Sequence, residues 1–401
     1  MSKDYIQRAD KVVANTYKRF PLVFERGRGC TLWDTEGRQY TDFVAGIAVC
    51  NLGHANPEIS RALARQADKL FHVSNLFYTV PQVELAEWLV GRCFADRVFF
   101  CNSGAEANEA AIKLARKTFF DQGDYNRWRI VTMDQSFHGR TFATLSATGQ
   151  KKVREGFEPI LEGFDFVPFN DMEQLAAAVT DKTCAVLLEP VQGEGGIRCA
   201  DPRYLRDVRR LCDEKGIMLI FDEIQTGIGR TGKLFAHEHF DVQPDIMTLA
   251  KALGNGLPIG AMLATEQAAA AFTPGAHAST FGGTPVITAA ALEVLKIIEA
   301  ENILEHCQKV GDYFKSRLLW LKERHPVVEE VRGVGLMLGM KLSQKGAPVV
   351  EACMEKGLLI NCTQENVLRF VPPLVITAEE VDRLVACLDD IFAGTGTTET
   401  C

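Results

Sequence analysis

Short, continuously apolar runs recur through the middle of the chain, and longer stretches of helical periodicity separate them. Arg97–Cys101, Arg129–Met133, Cys184–Leu188, Ile217–Phe221 and Asp245–Leu249 read as strands. None shows an apolar–polar alternation, which is the signature of parallel strands buried on both faces. Ala105 to Phe120 and Tyr204 to Lys215 read as helices between them. Alternating strand and helix predicts an α/β fold with a mainly parallel central sheet. Ile259 to Ala264 follows the fifth strand so closely that an antiparallel course suits it.

The two ends carry a different pattern. Residues 1–60 mix short strand signals with turns such as Asp34-Thr-Glu-Gly37. From residue 288 helices dominate, at Thr288 to Glu301 and Ile303 to His325, then β runs near Leu336 to Leu342 and Val367 to Val371, then a helix from Ala378. The expected organisation is a large α/β domain over 61–287, with 1–60 and 288–401 folding together as a smaller α+β domain. The small polar tail Gly394 to Cys401 reads as frayed. There are no internal repeats.

Composition narrows the functional classes. The formal charge is −8 and no basic stripe is present, which argues against nucleic acid as a partner. No run is long enough to span a bilayer, and the N-terminus lacks an apolar signal core, so a cytoplasmic protein is expected. The 12 cysteines contain no CxxC pair and several sit in apolar runs; they read as small buried hydrophobes. The eight histidines form no ligand pattern, and no metal is expected.

Three segments carry chemistry. Cys101-Asn-Ser-Gly-Ala-Glu106 joins a strand to a helix; Ser103 and Glu106 have capping-box spacing, and Gly104 and Ala105 leave backbone N–H groups open to an anion. A plain helix cap explains that segment equally well. Phe221-Asp222-Glu223-Ile224-Gln225 ends an apolar strand on a carboxylate, at the sheet edge where ligands bind; an Asp capping the next turn explains it equally well. In Leu249-Ala-Lys-Ala-Leu253, apolar neighbours would desolvate Lys251 and favour its neutral, nucleophilic form; alone, the segment fits a lysine reaching to solvent better.

Taken in order, Asn102-Ser-Gly-Ala-Glu-Ala-Asn108, Phe137-His-Gly-Arg-Thr141, Glu189-Pro-Val-Gln-Gly-Glu194, Asp222-Glu-Ile-Gln225 and Leu249-Ala-Lys251 resemble the ornithine/acetylornithine branch of the class III pyridoxal phosphate (PLP)-dependent aminotransferases. The likeness runs from Tyr17 to about Ile391. It implies a type I PLP-dependent transferase fold and a homodimer with shared active sites. Lys251 would carry the cofactor and move the proton, and Asp222 would pair with the pyridine nitrogen. Ser103, Gly104 and Ala105 would cradle the phosphate. Phe137 would stack on the ring and Gln225 would meet its hydroxyl. Thr280, and beside it Ser279, would be given by the neighbouring subunit to the phosphate and the substrate. Arg140 would grip the donor's α-carboxylate, since a guanidinium fork matches a carboxylate. Arg369 would bind the dicarboxylate acceptor, and Tyr17 would touch substrate.

The resemblance implies N-acetylornithine as donor, 2-oxoglutarate as acceptor and glutamate as product. Succinylornithine, ornithine, 4-aminobutyrate and N-succinyl-diaminopimelate stand as alternative donors. Ile47 stands where ornithine enzymes have a tyrosine, which favours an acylated donor over free ornithine, and Gly357-Leu-Leu-Ile-Asn361 also looks like the acetylornithine group. A non-enzymatic PLP-binding protein would be expected to lack Lys251 or Asp222. Glu194 would pair with Arg369 and swing away for the acceptor, with Gly193, Gly195 and Gly196 expected to let the backbone move.

Overall fold

The computed structural model describes residues 2–395. Three N-terminal strands, β1 (Phe24–Arg28), β2 (Thr31–Asp34) and β3 (Gln39–Asp42), form an antiparallel sheet. The central sheet contains β4 (Arg97–Cys101), β5 (Arg129–Met133), β6 (Phe164–Val167), β7 (Thr183–Leu188), β10 (Met218–Asp222), β11 (Ile246–Leu249) and β12 (Gly260–Ala264). Their order is β4-β12-β11-β10-β7-β5-β6. Only β12 runs against its neighbours, as its short connection suggested. A two-stranded ribbon, β8 (Val191–Gln192) with β9 (Arg198–Cys199), follows β7. The C-terminal part adds β13 (Val328–Val334), β14 (Met337–Leu342), β15 (Leu358–Leu359), β16 (Asn361–Thr363) and β17 (Val367–Phe370).

The central strands are buried on both faces. Ile130, Ala185, Leu187, Ile220 and Ile246 pack with Ala110, Ala111 and Leu114 of the helix Gly104–Asp121. Val131, Val186, Leu188, Leu219 and Phe221 pack with Leu205, Val208 and Leu211 of the helix Pro202–Lys215. This two-sided burial is why the runs read as unbroken apolar segments.

The two ends of the chain meet. β15 pairs in parallel with β3, so a C-terminal strand completes the N-terminal sheet. Arg230, in the loop after β10, is fully buried and donates to the Leu336 and Pro372 carbonyls and to Asn51. Burial pushes its guanidinium down to about 10. One cation thus ties the loop after β10 to both terminal segments.

Several elements were not anticipated. β6 and β13 carry Asp165, Glu329, Glu330 and Arg332, which mask the apolar pattern. The helix Ala347–Glu355 also emerged only from the structure. Ala45, Gly46, Ile47 and Ala48 all have positive φ, making a left-handed turn whose entry is fixed by Asp42 accepting the Val44 and Ala45 N–H groups. Gly394 and Thr395 complete the last helix, Ala378–Thr395, rather than fraying; the tail from 396, with Cys401, lies outside the described residues. Among the described residues no cysteine is in a disulfide, no His/Cys/Asp/Glu group could hold a metal, and no helix is long and apolar enough to cross a membrane.

Candidate active site

The carboxyl ends of β4, β5, β7, β10 and β11 converge on a cavity of about 360 Å³. Because β12 is antiparallel, its entry is at the same edge, and Leu257, Pro258 and Ile259 close one wall. Ser103, Gly104, Ala105, Phe137, Arg140, Glu194, Asp222, Gln225 and Lys251 all line this cavity.

Ser103 caps the helix Gly104–Asp121, its Oγ accepting the Glu106 N–H at 3.2 Å. Glu106 returns a bond to the Asn102 N–H at 2.6 Å. The hydroxyl is therefore engaged in capping. The helix geometry leaves the first-turn N–H groups of Gly104 and Ala105 without intrahelical acceptors, open to an anion. A side chain at Gly104 would strike Ile224 at 2.8 Å, so only glycine lets the β10 loop press against the cradle.

Asp222 is held by three donors. Its Oδ2 accepts from Asn108 Nδ2 at 2.7 Å and from His138 Nδ1 at 2.8 Å; its Oδ1 accepts from the Ile224 N–H at 3.0 Å. Asn108 is fixed in turn by Thr248 Oγ1, which donates to it, and by the His138 carbonyl, to which it donates. His138 Nε2 lies 3.2 Å from Thr132 Oγ1. Sequence reasoning quoted Asn108 and His138 inside motifs yet gave them no role. A signal existed: Asn is a poor helix former, and Asn108 sits on the buried face of its helix.

Glu189 was likewise passed over. Fully enclosed, it accepts the Phe137 N–H at 3.1 Å and the Gly193 N–H at 3.3 Å. Burial, aided by the nearby Asp222, raises its carboxyl well above the usual range. It anchors the Phe137 loop and the start of the Glu194 loop to one point.

Lys251 begins a 3₁₀ turn directly after β11, with φ +43°. A left-handed, non-glycine backbone at this point is strained and aims the side chain at the cavity. Burial holds its amine below the usual lysine range; Glu194 opposes that shift, Arg369 adds to it, and Asp222 and Glu189 oppose it. The neutral, nucleophilic amine is favoured accordingly.

Glu194 Oε1 accepts from Arg369 Nη1 at 2.5 Å, and Asn361 Oδ1 accepts from Arg369 Nε at 3.2 Å. The Arg369 side chain is 2 % exposed and that of Glu194 28 %. Burial alone would raise the Glu194 carboxyl; Arg369, then Lys251, overcome this and hold it below the ordinary range. Two of the flanking glycines are packed against their neighbours. An added Cβ at Gly193 would meet Gln225 Oε1 at 2.3 Å, and one at Gly195 would meet the Gln135 carbonyl and Gln192 at 2.9 Å. Close packing requires these glycines, and only Gly196 has positive φ. Arg140 is exposed, lies 5.5 Å over the Phe137 ring, and among the described residues has no carboxylate partner.

Five expected positions are not in the lining of this cavity. Arg369 stands behind Glu194, which does line it. Tyr17 is 69 % exposed beneath Arg19, after a helix with no buried residue. Thr280 is exposed, and Ser279 binds Asn102 and the Gly282 N–H at the cavity's rim. Ile47 is half exposed on the left-handed turn.

The arrangement can therefore bind a dianion at a helix N-terminus, cover a flat ring with Phe137, and set a fixed carboxylate and a buried amine of lowered pKa about it. The chain matches the aminotransferase class-III family over residues 12–392. It is 51 % identical over 384 residues to the acetylornithine aminotransferase of Caldanaerobacter subterraneus subsp. tengcongensis, covering 96 % of this chain and 98 % of that one. Its fold overlays the ornithine aminotransferase of Toxoplasma gondii, described with partial occupancy of PLP at its active site, with a TM-score of 0.95 at 32 % identity, covering 98 % and 94 % of the two chains. It also overlays the N-acetylornithine aminotransferase of Stenotrophomonas maltophilia with a TM-score of 0.83 at 41 % identity, covering 97 % and 99 %. The type I PLP-dependent transferase fold implied by the motifs is the fold of this chain, and the chain belongs to the class-III aminotransferases.

Proposed function

We propose that this enzyme transfers the δ-amino group of N-acetylornithine to 2-oxoglutarate, giving N-acetylglutamate semialdehyde and glutamate, with pyridoxal phosphate held at Lys251. The observation that carries the reading is the contrast between two arginines in one site. Among the described residues Arg140 has no carboxylate partner, whereas Arg369 is neutralised by Glu194. An ω-amino donor presents its amine to the cofactor and its α-carboxylate far away, to the free arginine. A paired Arg369 suits that donor, because no α-carboxylate is drawn beside the cofactor.

The residues fit the cofactor. The Gly104 and Ala105 N–H groups would take the phosphate. Phe137 would cover one ring face. Gln225 lines the cavity with a buried, unpartnered Oε1, a polar atom in want of a ligand. Asp222, locked by Asn108 and His138, would keep the ring nitrogen protonated. When bound, pyridoxal phosphate supplies the carbon that receives the amino group and a ring that takes up the electron pair.

The protein moves the proton. Lys251, whose burial lowers its pKa and so favours the neutral form, takes it from the substrate carbon and returns it on the other side of the exchange. Once the donor product has left, 2-oxoglutarate needs an arginine near the cofactor for its own α-carboxylate. Glu194 then releases Arg369, and the incoming carboxylate replaces it. An unpaired buried charge costs about 3–5 kcal/mol, so Arg369 needs a partner in both states.

We infer a dimer from the same reading. Thr280 and Phe281 are exposed beside the cavity rim, as suits a segment reaching a neighbouring subunit's phosphate. Ser279 and Tyr17 would meet substrate across or near that interface.

The test is to mix the PLP-loaded enzyme with one donor at a time and no acceptor, following loss of the cofactor's absorbance. N-Acetylornithine should react fastest. Succinylornithine reacting faster would move the reading to the succinyl donor, and ornithine or 4-aminobutyrate reacting faster would overturn the acyl-donor assignment.

A further inference from the structure

Two hydrogen bonds from the far C-terminal part grip the main chain of Glu194. Thr363 Oγ1 donates to the Glu194 carbonyl at 2.6 Å, and Gln364 Nε2 donates to the same oxygen at 2.9 Å. Arg332 Nε donates to the Gly196 carbonyl at 2.7 Å. Thr363 ends β16, and Gln364 stands at the tip of the hairpin to β17.

That tip is strained. Gln364 and Glu365 have φ of +49° and +62°, a left-handed pair normally given to Asn-Gly. Non-glycine residues persist there only when surrounding contacts impose it. The Gln364 side chain is committed to the Glu194 carbonyl, and its Cγ would touch a side chain at Gly196 at 3.4 Å. The same hairpin carries Arg369 on β17, paired in register with Asn361 on β16. One small frame therefore holds both Glu194's main chain and the arginine its side chain meets. Gly193 and Gly195 pack closely on Gln225, Gln135 and Gln192, so the Glu194 main chain is held from both sides and from the hairpin tip.

We propose that Thr363 and Gln364 are positioning residues that set how firmly Glu194 holds Arg369, and so govern the choice between ω-amino donors and α-amino dicarboxylates. This rests on the two-state use of Arg369 proposed above. Loosening the frame weakens the Glu194–Arg369 pair and leaves Arg369 open. Dicarboxylates then bind more tightly and glutamate reacts faster, while the ω-amino donor reacts more slowly.

The experiment compares the PLP-loaded wild type with Thr363→Val/Gln364→Ala, Thr363→Ser, Glu365→Gly and Glu194→Ala. Two quantities are read: the ratio of half-reaction rates for glutamate and N-acetylornithine, and the affinity for glutarate, an unreactive dicarboxylate, by calorimetry. The double variant should raise the ratio about fivefold to tenfold and tighten glutarate in parallel, as expected for losing two net hydrogen bonds. Thr363→Ser, which keeps the hydroxyl, should match the wild type. Glu365→Gly, which relaxes the tip without touching either bond, should raise the thermal midpoint and leave the ratio alone. If Glu194→Ala shifts the ratio and the double variant does not, the clamp is wrong and the two-state reading stands. If neither shifts it, the two-state reading fails and the clamp falls with it. A Glu365→Gly shift equal to that of the double variant would reduce the effect to general loosening and overturn the proposal.

Discussion

Two walls of one cavity each present a carboxylate, and they are built to opposite ends. On the strand-edge wall, Asp222 is almost fully buried at the end of β10 and receives three hydrogen bonds from three separate elements. On the ribbon wall, Glu194 is partly open to the cavity, and its carboxylate meets the guanidinium of Arg369, with a weaker contribution from the Gln225 side chain. The first group is over-determined and suits a constant task. The second has one dominant partner and so can exchange it. In this site the number of donors around an acid separates a fixed electrostatic element from a switch.

The largest effect that could break this contrast is at Asp222. Asp222→Asn keeps the shape and removes the charge. We expect the half-reaction with N-acetylornithine to slow by about 10²–10³ with the thermal midpoint little changed, since a preorganised charge in a dry site is worth that much. An unchanged rate in stopped-flow measurements would demote Asp222 to a structural cap.

A smaller effect is expected on the ribbon wall, and it depends on pH. The Glu194 carboxyl lies below its ordinary value of 4.5 in the folded state. Its stabilising contribution is therefore complete above pH 4.5 and lost as the pH falls through the lowered folded value. Glu194→Gln should cost about 1–3 kcal/mol at pH 7, the penalty for weakening a buried charge-assisted bond. The gap between wild type and variant should narrow below pH 4.5 in denaturant titrations; a gap constant from pH 7 to pH 3 would show that the pair carries no such linkage.

The smallest effect lies outside both walls and gives a baseline. Ile47 is half exposed with φ +68°, a poor place for a β-branched residue. Ile47→Gly should stabilise the fold by about 1 kcal/mol, because left-handed strain relief outweighs the glycine's added chain entropy. A fall in the thermal midpoint would mean that the side chain makes contacts outweighing the strain.

The parts legible in the sequence were those that follow from local pattern. The central strands announce themselves because both faces are apolar, and Asp222 and Lys251 stand out because each breaks such a run at its end. What stayed hidden depends on partners distant in sequence. His138 and Asn108 sit in quoted motifs, but nothing local says that both point at Asp222. Gly193 and Gly195 illustrate a different limit. A glycine chosen for close approach and one chosen for motion are the same letter, and only the neighbouring Gln225 and Gln135 decide between them. β13 was missed because the charged residues Glu329, Glu330 and Arg332 dilute its apolar signal.

The parallel pairing of β15 with β3 has a consequence for how the chain is made. On the ribosome, β1 to β3 emerge before the central sheet, yet the partner for Thr41 and Asp42 is Leu358–Leu359, which emerges only after it. Until then one edge of the N-terminal sheet is open, with unpaired N–H and C=O groups available to any other extended segment. Closing it is among the longest-range contacts in the molecule, and such contacts form late and slowly. The central sheet can assemble without it, so the growing chain is most exposed to mispairing between its own two completed events.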